Sequence, residues 1–194
     1  MILNDLSFLI LILVANVLIN GSFWPVIGII AALIHELGHL IAIKLMGSNV
    51  RMVRFVGLGF CILPQKTLSY KQTVIIHLAG PCVNFSLSLV LWIVWLVYSS
   101  NLIAQLIAIN LLYGGINLLP IPPLDGYNAF FEYINSKTNL ETADKIQRIL
   151  LCFSLFLIAL ISVLLLVNKM LNVSLILILI FLAISVLRQI KLKT

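Results

Sequence analysis

The motif His35-Glu36-Leu37-Gly38-His39 lies inside an unbroken apolar stretch of the sequence. Histidines four residues apart share one face of a helix, with Cβ atoms roughly 5–6 Å apart. Two imidazoles at that spacing can bind one Zn²⁺ from the same side, and Glu36 is placed to act as a general base. A carboxylate and two imidazoles at membrane depth are energetically expensive, so such groups mark a function. The motif therefore predicts metal chemistry inside a lipid bilayer.

The composition is that of a polytopic membrane protein. Of the 194 residues, 62% are hydrophobic and 9% are charged, whereas a soluble domain carries about 25% charged residues. The longest polar stretch, near 125–148, is too short to form a core of its own. We therefore expect a single integral-membrane domain over 1–194. The net charge of +6 does not indicate nucleic-acid binding, because the basic residues are spread over the connections between apolar runs.

Six apolar runs approach or reach the length of about 20 residues that crosses a bilayer. They cover 6–19, 23–46, 74–98, 102–119, 149–167 and 171–187, and the first is the shortest. We therefore expect an all-α polytopic fold with about six transmembrane helices. In this arrangement 11 of the 12 Lys and Arg residues fall on one face of the membrane, and only Lys169 falls on the other. Because positive charge marks the cytoplasmic side, both termini are predicted to be cytoplasmic.

The segment near 53–64 is apolar but too short to span the membrane. Its Phe, Val and Ile content and its spaced glycines predict one or two strands that lie at the interface or dip into it. Open backbone at membrane depth is tolerated only against protein or a water-filled cavity. A loop that lies on the membrane surface is the alternative.

A catalytic zinc usually has three protein ligands and one open position, so two histidines leave a ligand to be found. Asp125 is the leading candidate, because it directly follows the apolar, proline-rich segment 117–124 at the end of the fourth run. The prolines end that run as a helix close to the membrane boundary. The alternatives are a turn or N-cap role for Asp125 and His77 as the ligand in its place.

The third run contains Ala79-Gly80-Pro81, followed by Asn84. The Gly80-Pro81 pair is expected to break or kink the helix and to leave backbone groups that need partners. The Asn84 amide could donate to a substrate carbonyl or hold an extended substrate strand. An interhelical hydrogen bond is an equally good interpretation of Asn84.

Three motifs follow one another between about residues 30 and 128: His-Glu-Leu-Gly-His, then Ala-Gly-Pro-x-x-Asn, then Asn-Leu-Leu-Pro-x-x-Pro-Leu-Asp-Gly. In this order and combination they resemble the site-2 protease family of intramembrane zinc metalloproteases. The short chain is similar to the minimal bacterial members, including the stage IV sporulation protease. It shows no inserted PDZ-like segment and no C-terminal CBS-like domain.

The resemblance implies one Zn²⁺ per chain, with His35, His39 and Asp125 as its ligands. It implies Glu36 as the catalytic base, Asn84 as a substrate-positioning residue, and 55–63 as the family's membrane-associated β-strand region. The implied activity is regulated intramembrane proteolysis in the bacterial cytoplasmic membrane. The implied partners are the lipid bilayer and a single-span or signal-peptide-like substrate.

Two other functions are compatible with a metal site in a membrane. A non-proteolytic adaptor could retain the zinc, but a structural zinc needs no general base, and Glu36 is present. A metal or ion transporter is disfavoured because transporters often show paired broken helices in two repeated halves, and this sequence shows no such repeat.

Overall fold

The computed structural model describes residues 24–56, 59–168 and 173–191 of the chain. Within them the chain forms helices and one two-stranded hairpin. In chain order the elements are α1 (Trp24–Leu45), β1 (Val50–Val56), β2 (Gly59–Pro64), α2 (Tyr70–Val97), α3 (Asn101–Asn117), α4 (Asp125–Lys137), α5 (Leu140–Val167) and α6 (Val173–Lys191). The predicted all-α class is confirmed, and five of the six apolar runs correspond to helices. The first run, 6–19, lies outside the described residues.

Three of the described helices are long and apolar enough to cross a membrane, namely Val26–Leu45, Tyr70–Val97 and Glu141–Val167. The apolar helices Asn101–Asn117 and Leu179–Ile190 are shorter. Large apolar side chains on the long helices are exposed, with Val97 at 73% and Val167 at 71%. Soluble proteins rarely expose contiguous apolar surface on this scale. These helices and their exposed apolar faces are those of an integral membrane protein.

The residues up to Asn117 form one compact unit, in which α1, α2 and α3 pack against one another. Helix α2 begins with a capping box, in which the side chains of Ser69 and Gln72 each accept a hydrogen bond from the other's backbone N–H. The helix then runs without interruption through Pro81. The predicted break at Gly80-Pro81 is therefore wrong. A proline is tolerated in a membrane helix when neighbouring helices satisfy the backbone groups that it frees.

Strands β1 and β2 form an antiparallel hairpin in the same unit, with pairs that run from Val50 and Pro64 to Val56 and Gly59. The strand structure predicted near 53–64 is confirmed, and it begins at Val50. The sheet has two strands, so each strand has an outer edge. Backbone N–H and C=O groups along such an edge are a template for a further strand.

From Leu118 onward the chain forms a second compact unit, in which α5 packs against α4 and α6. Its core consists of the buried side chains of Ile121, Tyr127, Leu151, Ile158, Leu182 and Val186. Burial raises the pKa of the Tyr127 phenol above 10.0, and a hydrogen bond from Gln147 opposes that rise. The phenol therefore stays protonated at neutral pH and fixes the start of α4 against α5.

Candidate metal centre

His35 and His39 project from the same face of α1, as their spacing predicts. Their ring centroids are 4.8 Å apart with planes at 82°, and the residues are only 2% and 7% exposed. The ring of Tyr113 on α3 makes a second edge contact with His35 at a centroid distance of 5.1 Å. The two imidazoles are thus buried and held by neighbouring helices.

The Nδ1 atoms of both rings are oriented by uncharged oxygen acceptors on α2. The His35 Nδ1 atom donates to the Asn84 side-chain oxygen at 2.6 Å. The His39 Nδ1 atom donates to the Ile76 carbonyl oxygen at 2.7 Å. A ring that carries its proton on Nδ1 presents Nε2 as the metal-binding nitrogen. Both histidines therefore have the tautomer that a zinc site requires.

Gly80 of α2 lies directly opposite the two Nε2 atoms. A Cβ atom built at position 80 would lie 2.6 Å from the Nε2 atom of His35 and 2.5 Å from that of His39. The absence of a side chain at Gly80 thus leaves the space that the two nitrogens face. Gly38 of α1 allows this close helix contact, since its own Cβ would lie 2.8 Å from the Ala79 carbonyl oxygen. The two Nε2 atoms are donors of the kind that a small cation such as Zn²⁺ binds.

Asp125 is the first residue of α4 in the second unit, so it is neither an N-cap nor an isolated turn residue. The preceding loop is fixed within that unit by hydrogen bonds from Ser154 Oγ to the Pro120 carbonyl at 2.6 Å and from Asn128 Nδ2 to the Pro123 carbonyl at 3.1 Å. Gly126 has no room for a Cβ, which would meet the Leu118 backbone. These contacts hold Asp125 at the start of its helix.

The three ligands that the sequence nominates lie in two units of the chain: His35 and His39 belong to the first, and Asp125 belongs to the second. A tetrahedral zinc site with an open position uses three nitrogen or oxygen ligands of these kinds. The two buried imidazoles supply two such ligands on one helix, and Asp125 as the third ligand stays a prediction.

Asn84 is fully buried. Its side chain makes the interhelical hydrogen bonds that are one of the two roles predicted for it. Its Oδ1 atom accepts from His35, and its Nδ2 atom donates to the Ala31 carbonyl and to Asn110 Oδ1. The interhelical interpretation is therefore observed, whereas the substrate-positioning role stays a prediction. Glu36 is half-buried on α1, directly after His35 in the chain.

Sequence reasoning misses three contributors to this site. Tyr113 gives no signal, because an aromatic residue in an apolar helix is ordinary packing. Gly80 is interpreted only as a point of helix weakness. Asn110 does carry a signal, since an amide inside a continuous apolar helix is expected to bond across helices.

Comparisons with known proteins agree with this geometry. No protein-family model matches the chain. A zinc metalloprotease of Methanocaldococcus jannaschii is 30% identical over 147 residues, which cover 72% of this chain and 43% of that protein. The chain thus spans less than half the length of this curated relative.

The solved structure of a site-2 protease from Methanocaldococcus jannaschii has a similar fold. It superimposes with a TM-score of 0.70 at 23% identity, over 94% of this chain and 86% of that one. This likeness shows that the chain has the site-2 protease fold. Together the two comparisons confirm the resemblance to that family which the three motifs indicate.

Proposed function

We propose that this chain, which has the fold of a site-2 protease, is an intramembrane zinc metalloprotease. It would hydrolyse peptide bonds in or near the transmembrane segments of other membrane proteins. The observation that carries the proposal is the buried pair of His35 and His39, whose rings are oriented through Nδ1 and which flank the carboxylate of Glu36 in the sequence. The zinc metalloprotease of Methanocaldococcus jannaschii supports the same metal.

The three side chains would hold one Zn²⁺ per chain through His35 Nε2, His39 Nε2 and an Asp125 carboxylate oxygen. When bound, the ion acts as a Lewis acid that lowers the pKa of water toward about 7 and polarises a carbonyl oxygen. The hydrogen bonds from the two Nδ1 atoms to Asn84 and to the Ile76 carbonyl keep the rings from turning. The protein thereby presents its ligands in place before the substrate arrives.

Glu36 supplies the proton transfers that peptide hydrolysis needs. Its carboxylate accepts a proton from the attacking water, and the resulting carboxylic acid donates that proton to the leaving amine. A helical substrate hides its amides in internal hydrogen bonds, so the scissile segment must first unwind. Single-span membrane proteins and signal-peptide-like segments are the substrate class that fits these demands.

We further propose that the unwound segment pairs with the outer edge of the β1–β2 hairpin by strand addition. Replacing Gly59 with proline should then abolish cleavage and leave zinc binding intact, because proline lacks the N–H donor of a paired strand and is excluded from its interior. Cleavage of a membrane substrate and zinc content measured on the same preparation check this.

Thr67→Pro is the matched control for Gly59→Pro, since it introduces the same residue into the exposed segment between β2 and α2. It should retain cleavage. Normal cleavage by Gly59→Pro would contradict strand addition and would leave the protease proposal unaffected.

We propose a location in the bacterial cytoplasmic membrane with both termini in the cytoplasm; the orientation is supported by the charge pattern, because 11 of the 12 Lys and Arg residues share one face of the predicted topology.

Asp125→Ala tests the metal ligand that lies farthest from the histidines in the sequence. It should weaken zinc binding by more than about 100-fold, because loss of a group that merely orients a ligand already costs 10–100-fold. Competition with a chelator on purified protein in detergent measures the affinity. Asp144→Ala, the same change at an exposed position of α5, should leave it unaltered.

Cells that carry Asp125→Ala in place of the wild-type protein should accumulate an uncut membrane protein, which comparative membrane proteomics detects. A wild-type protein that purifies without zinc, or an Asp125→Ala protein that binds zinc normally, would overturn the proposed site. If Asp125→Ala loses zinc but no membrane protein accumulates, the result would favour a non-proteolytic zinc-binding adaptor over a protease.

A further inference from the structure

Two buried asparagines join three helices in a chain of hydrogen bonds that ends at His35. Asn110 of α3 donates from Nδ2 to the Leu106 carbonyl at 2.9 Å, and its Oδ1 atom accepts from Asn84 Nδ2 at 2.8 Å. Asn84 of α2 also donates to the Ala31 carbonyl of α1 at 3.1 Å. Its Oδ1 atom accepts from His35 Nδ1. The exposed fractions of Asn84 and Asn110 are 0% and 1%.

The direction of every bond in this chain is fixed by backbone carbonyls, which can only accept. The Leu106 carbonyl requires the NH₂ group of Asn110, so Asn110 presents its oxygen to Asn84. That oxygen and the Ala31 carbonyl both require the NH₂ group of Asn84. Asn84 therefore turns its own oxygen toward His35, and His35 must carry its proton on Nδ1.

We propose that Asn110 is a positioning residue for the metal centre. It acts through its hydrogen bond to Asn84, whose side-chain oxygen in turn accepts from His35 Nδ1, and so sets the tautomer and ring orientation of His35. This inference rests on the proposed zinc site but not on the proposed proteolysis. Partners that orient a ligating histidine are typically worth 10–100-fold in metal affinity, and Asn110 is one bond further out.

The alternative role for Asn110 is ordinary helix packing, and two substitutions separate the roles. Asn110→Leu matches the apolar surroundings of α3 but removes the oxygen that holds the Asn84 amide. Asn110→Asp keeps that oxygen, although it removes the donor to the Leu106 carbonyl and adds a polar group that is harder to bury. If Asn110 only packs, Asn110→Leu should keep more zinc affinity than Asn110→Asp. If Asn110 positions the site, Asn110→Asp should keep more zinc affinity than Asn110→Leu.

The experiment measures zinc affinity and thermal stability of the purified variants in detergent, with Zn²⁺ itself as the probe in a chelator competition. Asn110→Leu should bind Zn²⁺ roughly tenfold more weakly than wild type, at the lower end of the range for orienting partners. Asn110→Asp should bind within about threefold of wild type, because it keeps the oxygen that accepts from the Asn84 amide. The Co²⁺-substituted Asn110→Leu protein should show an altered visible absorption spectrum.

Ser88→Ala is the matched control for helix packing. Ser88 is 3% exposed, and its hydroxyl lies between the same two helices, within 3.4 Å of the Ile107 carbonyl. The hydroxyl donates to the backbone carbonyl of Asn84 at 2.9 Å and not to its side chain, so its loss should lower stability without a change in zinc affinity. An equal loss of zinc affinity in Ser88→Ala and Asn110→Leu would overturn the inference.

A double substitution tests whether Asn110 acts through Asn84. Asn84→Ala alone should weaken zinc binding by about 10–100-fold, and adding Asn110→Leu should cause no further loss. Additive losses, or wild-type affinity in Asn110→Leu, would contradict the proposal. A wild-type protein that binds Zn²⁺ but cleaves no substrate would contradict the protease and leave the role of Asn110 standing.

Discussion

Glu36→Gln is expected to retain zinc and to lose peptide hydrolysis by about 10²–10⁴-fold, the range that a general acid–base group contributes. Glutamine has nearly the same volume as glutamate and keeps one hydrogen-bonding oxygen, so the helix and the two histidines should be undisturbed. It cannot accept a proton from water, which removes the step assigned to this side chain. Zinc content and substrate cleavage, measured on one preparation, check both halves of the expectation.

Glu141→Gln provides the matched control for this substitution. Glu141 is exposed on α5 and pairs with Lys145 at 2.9 Å, and an exposed pair of this kind contributes only about 0.3–0.5 kcal/mol. The control should therefore behave like wild type. Full cleavage by Glu36→Gln would remove the catalytic base from the mechanism, and loss of zinc would show that Glu36 serves the fold instead.

Gly80→Ala is expected to eliminate zinc binding, with a loss of more than about 100-fold in affinity, beyond the range for an orienting partner. The added methyl would lie 2.6 Å from His35 Nε2 and 2.5 Å from His39 Nε2, which is closer than any ordinary carbon contact. The rings cannot turn away without breaking their bonds to Asn84 and to the Ile76 carbonyl. The methyl would therefore push the two rings out of the positions in which they would hold the metal.

Folding stability should fall as well, because overpacking a core costs typically about 1–3 kcal/mol, more than the roughly 0.5–1 kcal/mol by which alanine is favoured over glycine inside a helix. Gly28→Ala is the control, since a Cβ at this position of α1 meets nothing within 4 Å. It should keep the zinc. Chelator competition and thermal unfolding of both variants separate the two effects, and normal zinc binding by Gly80→Ala would place the metal elsewhere.

The helix that carries the histidines can be predicted because its signals are local. The spacing of His35 and His39 fixes their common face, and the apolar flanks give the length of the element. The partners of the rings cannot be predicted in this way, because they are distant in the sequence. Asn84 lies 49 residues after His35, and Ile76 lies 37 residues after His39. Nothing in a linear pattern selects one backbone carbonyl from the others.

Gly80 shows the limit of a local rule. Beside Pro81 it predicts a weak point in a helix, and intrinsic propensity supports that prediction. Packing against α1 and α3 overrides propensity, and the helix continues. What the glycine contributes is room for two imidazoles from another helix, a property that depends on the approach of α1 to α2 and not on either sequence alone.

In the second unit, too, local sequence signals predict where a helix ends, whereas tertiary contacts determine where a side chain lies. The prolines after Asn117 predict the end of a helix, and α3 ends there. The motif predicts Asp125 as a ligand, but only the tertiary contacts of Ser154 and Asn128 with the preceding loop explain how its position is fixed. In each of these contacts a side chain donates a hydrogen bond to the backbone carbonyl of a proline.

The two groups that orient the histidine rings, the Asn84 amide and the Ile76 carbonyl, carry no formal charge. Many zinc proteins use a carboxylate for this purpose. In the proposed zinc site the carboxylates of Asp125 and Glu36 would already balance the two positive charges of the ion, and another anion would leave an excess negative charge in a medium that solvates it poorly. Orienting the two rings with uncharged groups would therefore keep such a centre close to electroneutral within the hydrocarbon layer.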